Sequence, residues 1–465
     1  MNFIRFFGRW RVAAWLALLC VAAGDLPAQE AWEAGAARVN ITPGEFMWMA
    51  GYGGRSHPAD QKYSELWAKA LVLEDPRGER GILVTMDLVG MDRTLAASIC
   101  EAIGEQAGCR RSQIALCFTH THSGPVVGRN LEPLHYRQLD DEQRRLVDQY
   151  ASELQRRIVA CVGEALRDLE PCSLAWGSGT AGFAVNRRAN PERDVPRLIA
   201  EGKLLGPVDH DVPVLAVREL PTGELKAVVF GYACHATVLD GYGWCGDYPG
   251  FAQESLETSH AGCTAMFWAG CGADQNPLPR RSLELAGQYG RQLASAVDHV
   301  LAGSMTAISG PLVTAYREVA LPLDRLPTVD ELRRDSQSDN RHVRARAEML
   351  LERIDAGEPL PPTYPYPVGV WELGEQVQFV FLGGEVVVDY AVRLKSELRG
   401  PRTWVAGYSN DVMAYIPSLR VLREGGYEGI GAMVYYGLPT GWAPQVEQAI
   451  VDTVHAMTDR GSESK

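Results

Sequence analysis

Two histidines one residue apart, His120 and His122, close a short apolar run, Gln113-Ile114-Ala115-Leu116-Cys117-Phe118, and are followed by Ser123-Gly124-Pro125. The run has the length and composition of a buried strand, and Gly-Pro breaks it. Side chains repeat every two residues along a strand, so a His-x-His at its end is expected to put both imidazoles on one side of the pleat. Two neutral imidazoles facing one space suit a zinc ion, or one metal ligand beside a catalytic neighbour.

Other strand ends offer similar groups. His235 follows the apolar run Lys226 to Tyr232; taken alone, it reads first as a hydrogen-bonded structural histidine. Asp274 emerges from Ala269-Gly270-Cys271-Gly272-Ala273 after the run Thr264 to Trp268, either towards a site or in an Asx-type turn before the helix from Ser282. Glu385 sits between Gly383-Gly384 and a helix start, where a carboxylate either favours the helix dipole or points into a site. Tyr415 ends the stretch that opens from Thr403 to Tyr408. The loop Met49-Ala50-Gly51-Tyr52-Gly53-Gly54 lets backbone approach another group closely. It lacks the strand–GxGxxG–helix context of a nucleotide fingerprint, so that reading is rejected.

The elements that must position these groups alternate. Strands are expected over 67–74, 81–89, 173–177, 212–218, 226–232, 264–268, 376–382 and 403–408, with a first one closed by Pro43. Helices are expected over 94–106, 141–169, 282–301, 386–398 and 444–459. The charged stretch 329–356 reads as an outer helical layer or lid, and 357–367, with five prolines, as a connector. This pattern predicts an α/β fold, a mixed sheet layered with helices, with the metal site at the strand ends.

Composition sets the surroundings. Arg5, Arg9 and Arg11 precede the twelve apolar residues Val12 to Ala23, too few for a membrane span of ~20 residues. Residues 1–28 therefore read as a signal peptide and the chain as secreted or periplasmic, with an uncleaved anchor as the alternative. Without Cys20, nine cysteines remain, an odd number that leaves at least one free thiol. Cys100 with Cys109, and Cys161 with Cys172, are the expected local bridges. No Cys-x-x-Cys occurs, which excludes a thiolate zinc knuckle. A net charge of −13 argues against nucleic acid as a partner.

At this point the chain resembles the neutral, non-lysosomal ceramidase family over roughly residues 37–437. The resemblance rests on ordered motifs. Thr119-His120-Thr121-His122-Ser123-Gly124-Pro125 is the most specific. Val39-Asn40-Ile41-Thr42-Pro43 with Met49-Ala50-Gly51-Tyr52-Gly53 precedes it. Asn186-Arg187-Arg188, Cys234-His235-Ala236-Thr237, Gly384-Glu385, Asn410-Asp411 through Tyr415, and Tyr427-Glu428-Gly429 follow. The resemblance implies a hydrolase domain over residues 30–465 holding one Zn²⁺ through His120, His235, Glu385 and Tyr415. It places His122 and Tyr427 near a developing oxyanion, Arg187 on a polar part of the substrate, Gly51 on the pocket floor and Asp274 as proton acceptor.

Two departures are visible. Asn276, in Ala273-Asp274-Gln275-Asn276-Pro277, stands where the family has a serine needed for ceramide cleavage. The family often adds a C-terminal β-sandwich, for which this sequence ends too soon. The first expectation is accordingly a zinc amidohydrolase acting on a lipid-like or small amide, ceramide or a related N-acyl lipid, with transient membrane-surface contact. A zinc hydrolase for a polar amide or ester is the second, and a metal-stabilised binding protein without turnover the third.

Overall fold

Strand residues divide cleanly between two faces, and that division sets the layers. In the strand Trp67–Glu74, Ala68, Ala70 and Val72 pack into a core shared with helices, whereas Leu71 and Leu73 point the other way. The computed structural model describes residues 31–459; the expected signal segment lies outside the described residues. Within them a nine-stranded mixed sheet lies against a four-stranded one.

The large sheet runs in the order Thr264–Ala269, Leu225–Tyr232, Asp211–Glu219, Glu170–Thr180, Trp32–Asn40, Trp67–Glu74, Arg80–Met86, Ile114–Phe118, with Thr306–Ile308 beside Glu170–Thr180. Both outer pairs are parallel and every pairing between them is antiparallel. The second sheet joins Leu312–Pro322, Thr363–Leu373 and Val377–Leu382 antiparallel, then Thr403–Ala406 in parallel.

One core holds Ile99, Leu154, Leu256 and Leu293 from four helices against the large sheet. A second, between the sheets, packs Leu83, Cys117, Leu215 and Trp268 on Trp371, Phe379 and Trp404. A third lays Tyr390, Leu394, Ile450 and Val454 on the outer face of the small sheet. The result is a helix–sheet–sheet–helix stack, the α/β layering the sequence predicts. Among the described residues no helix is long and apolar enough to cross a membrane.

The small sheet matches expectation in Val377–Leu382 and Thr403–Ala406 and departs from it in its other two strands. Residues 363–367 of the expected connector 357–367 open the strand Thr363–Leu373. Pro365 and Pro367 are tolerated because only Val368–Leu373 is paired on both sides. Below Val368 the strand is an edge, where a missing N–H costs no ladder bond.

Neither expected disulfide forms, and all nine described cysteines are free thiols. Cys161 packs in the helix-side core and Cys172 in the inter-sheet core, on opposite faces of the large sheet. Cys100 is buried in a helix, while the Cys109 thiol turns to the Ala107 carbonyl at 3.7 Å.

The layers bring four strand ends together. Segment 406–410 bridges both edge strands of the large sheet, pairing Cys117 with Ser409 and Gly270 with Ala406. The Phe118 N–H donates to Tyr408 O at 3.2 Å, Gly270 N–H to Tyr232 O at 3.0 Å and Tyr408 N–H to Gly384 O at 2.8 Å. The residues that follow Phe118, Tyr232 and Leu382 must therefore meet.

Candidate metal centre

His120, His235, Glu385 and Tyr415 stand where these ends meet. Glu385 and Tyr415 pair directly in a short parallel ladder, Glu385–Val386 against Tyr415–Ile416. His120 is not within its strand, which stops at Phe118. Its φ of 59° puts it in the left-handed region, so a turn, not the pleat, sets the relation of His120 to His122.

Backbone carbonyls fix the buried imidazoles of His120 and His235. His120 Nδ1 lies 2.5 Å from Val89 O, and His235 Nδ1 lies 2.8 Å from Gly272 O. A carbonyl only accepts, so Nδ1 carries the proton in each and the Nε2 lone pairs are left for the centre. His235 Nε2 is 3.0 Å and His120 Nε2 3.3 Å from the same Glu385 Oε2. Tyr415 Oη lies 3.4 Å from His235 Nε2.

His122 completes the cluster. Its Nε2 is 3.2 Å from His120 Nε2, and ligand nitrogens of His120, His122 and His235 all lie within 4.8 Å of one another. Its Nδ1 is buried without a hydrogen-bond partner among the described residues. The ring is held by shape instead: Tyr52 stacks at a tilt 4.7 Å away, and a Cβ on Gly51 would fall 2.4 Å from the ring. Gly51 thus backs the imidazole of His122, at a φ of 93° that favours glycine.

The electrostatics are those of a cation site. Burial pushes the His122 pKa well below its ordinary value, helped by His120 and His235. Burial likewise lowers His235 to about 4, with Arg187 adding to the effect. Burial alone would raise Glu385, yet the two imidazoles outweigh it and hold the carboxyl well below the usual range. With the Nδ1 atoms of His120 and His235 donating to carbonyls, their Nε2 atoms and the Glu385 carboxylate converge on one space, an arrangement that favours a positive charge between them.

Around this centre Arg187 is the hub. It donates to Glu428 Oε1 at 2.7 Å, Asn276 Oδ1 at 3.2 Å and Tyr415 Oη at 3.2 Å. Tyr427 lies over it, half-exposed, its ring 5.3 Å from that of Tyr415. Asp274 stands outside this set. Its Oδ1 accepts from the Val388 N–H at 2.8 Å and its Oδ2 from Asn186 Nδ2 at 3.1 Å. Each oxygen thus accepts one hydrogen bond, tying the carboxylate to a helix start and to the turn that carries Arg187.

Sequence reasoning missed Tyr436, whose hydroxyl donates to Glu385 Oε1, and His135, whose Nε2 accepts from the Gly51 N–H at 3.1 Å. It also missed Arg55, which donates to the His122 carbonyl at 2.7 Å. Tyr435-Tyr436 lies in a short helical turn with no spacing signal, whereas Arg55 follows the glycine loop already singled out.

The sequence matches no protein-family model and no curated protein. Two solved structures share the fold. A neutral ceramidase from Pseudomonas aeruginosa superposes with a TM-score of 0.68 at 19% identity, covering 91% of this chain and 73% of that one. A ceramidase complexed with C2 gives a TM-score of 0.68 at 17% identity, with 91% and 74% covered. The chain therefore has the fold found in these ceramidases.

Proposed function

We propose that the chain is a zinc-dependent amidohydrolase, holding one zinc ion through His120, His235, Glu385 and Tyr415 and cleaving an N-acyl amide. The observation that carries this reading is the convergence of His120 Nε2 and His235 Nε2 on one oxygen of Glu385, all three groups buried. Two imidazoles, a carboxylate and a phenol form a nitrogen–oxygen set that suits Zn²⁺. The names of the two structural neighbours support an amide of the ceramide or N-acyl lipid kind. Export from the cytoplasm belongs to the same reading and rests on the amino-terminal sequence.

A divalent ion held there supplies Lewis-acid polarisation of a carbonyl and activates water near neutral pH. The chain's own residues do the rest. His122, kept neutral by burial, offers a ring nitrogen that takes up or returns a proton at the centre. Burial and Glu385 push the Tyr415 hydroxyl well above its ordinary range, and Arg187, held by Glu428 and 3.2 Å from that hydroxyl, opposes the shift. The Gly51 backbone and the Tyr52 ring keep His122 in one orientation. Tyr427, over Arg187, has a hydroxyl available to a substrate oxygen.

The test is metal analysis of the purified protein, together with hydrolysis of a panel of N-acyl amides with and without chelator. Zinc at about one ion per chain and chelator-sensitive amide cleavage are expected. Metal-bound protein that cleaves none of the panel would favour a binding protein instead.

A further inference from the structure

Two clefts lie beside residues that surround the histidine cluster, and charged or other polar side chains make up most of the lining residues of each. One, of about 580 Å³, opens beside Arg187, Asn276 and Tyr427, with Arg187 donating to Tyr415 of the centre at 3.2 Å. The other, of about 390 Å³, lies against Tyr52 and Arg55, which touch His122 from the opposite side. Arg280 lines both. Leu278 is the one aliphatic side chain in the larger cleft, and the smaller has none.

Asn276 has its orientation set by a neighbour. Arg187 Nη1 can only donate, so the amide oxygen of Asn276 must face it, as it does at 3.2 Å. The Nδ2 group is then turned away and has no hydrogen-bond partner among the described residues. Asn276 is 4% exposed and lines the larger cleft. An amide donor without a protein partner at the wall of a cleft is free to bind an acceptor on a ligand.

Resting on the hydrolytic reading above, we propose that Asn276 determines specificity and that the substrate is a compact amide whose carboxylate or carbonyl oxygen accepts from its Nδ2. A long alkyl chain gains ~0.8 kcal/mol per buried methylene only against apolar surface. Here it would instead cover the ion pairs of Arg187 with Glu428 and of Arg188 with Glu424 and Glu428, stripping them of water. A small acceptor satisfies Nδ2 and leaves those pairs hydrated. Sites built around such a donor reject analogues that lack its partner far more strongly than apolar pockets reject a missing methylene.

The test separates binding from turnover. The purified full-length protein is titrated calorimetrically with 4-oxopentanoate, the uncleavable ketone isostere of N-acetylglycine, and with 2-hexanone, which has no carboxylate. The wild type should prefer 4-oxopentanoate by about tenfold or more, the scale of one buried hydrogen bond to a charged group. Asn276→Asp, which keeps the acceptor for Arg187 but turns the donor into an anion, should abolish that preference, and so should Asn276→Leu. A preference that survives both substitutions overturns the proposal, as does failure of the wild type to bind 4-oxopentanoate or faster wild-type cleavage of long-chain ceramide than of N-acetylglycine. Loss of all amide cleavage with Asn276-dependent binding intact would instead refute the hydrolytic reading alone.

Discussion

His235 Nε2 and Glu385 Oε2 face each other at 3.0 Å in a buried space, with the only proton of the imidazole committed to Gly272 O on its far side. Two lone pairs in that position need a shared cation. Metal content should therefore depend on both residues: His235→Ala and Glu385→Ala each lose bound zinc, measured by elemental analysis. Zinc at ~1,000 times its Kd stabilises the native state by about 4.1 kcal/mol, so chelation should lower the melting temperature of the wild type and leave that of His235→Ala unmoved.

Gly51→Ala tests the support of His122. The added Cβ would fall 2.4 Å from the ring, at a backbone φ of 93°. The conformation alone costs an L-residue roughly 1–2 kcal/mol, and the overlap forces the imidazole to move. Expected are a lower melting temperature and a reduced kcat with zinc content retained. Full activity would show that His122 does not need its present orientation.

Arg187→Lys keeps the charge but loses the fork that reaches Glu428, Asn276 and Tyr415 together. Losing one buried charge-assisted bond, at about 1.5–3 kcal/mol, predicts a fall of about 10- to 100-fold in kcat/KM. Steady-state kinetics on the best amide of the panel would measure it.

Asp411 makes a pH prediction with a definite sign. Burial pushes its pKa up to about 7, against the opposing effects of the Tyr364 hydroxyl and Arg93, and its Oδ1 has no partner among the described residues. The folded value is raised above the unfolded one of ~3.9, so the native state binds more protons between these values. Its contribution to stability is thus present at low pH and lost as pH rises through about 7. Asn at this position mimics the protonated acid. Denaturation of wild type and Asp411→Asn should nearly coincide at low pH, then diverge in favour of the variant by at most ~1.4 kcal/mol per pH unit. A difference constant with pH would refute this.

Much of the large sheet was legible because its strands are apolar, short and punctuated: Trp67–Glu74 has the bounds expected from sequence. The hairpin Leu312–Pro322 with Thr363–Leu373 was not, because Pro365 and Pro367 read as breakers until the unpaired edge is known. In the site, His120, His235, Glu385 and Tyr415 could each be picked out as a metal-type group at a strand end. Their contact could not, since it depends on segment 406–410 bridging two strands far apart in the chain. Asp274 was assigned by resemblance; its hydrogen bonds to Val388 and Asn186 come from long-range packing that no local pattern reports.

Asp274 accordingly gives the sharpest prediction. Fully buried, its carboxyl is pushed up to about 6 by burial, yet it accepts from two donors, the Val388 N–H and Asn186 Nδ2. An amide at this position accepts one of them and turns its own N–H₂ on the other, a cost of about 1–3 kcal/mol. Asn186 in turn accepts from the backbone N–H groups of Arg188 and Ala189, so the disturbance reaches the turn that carries Arg187. Asp274→Asn should lower the melting temperature, keep zinc bound, and couple with Arg187→Lys, so that the double variant loses less kcat/KM than the two single losses combined. A proton acceptor at the reacting centre would behave otherwise. Stability would stay near wild type, kcat would fall ~10²–10⁴-fold, and the acid limb of the pH–rate profile would disappear. Thermal denaturation and a pH profile of the same purified variant decide between the two roles.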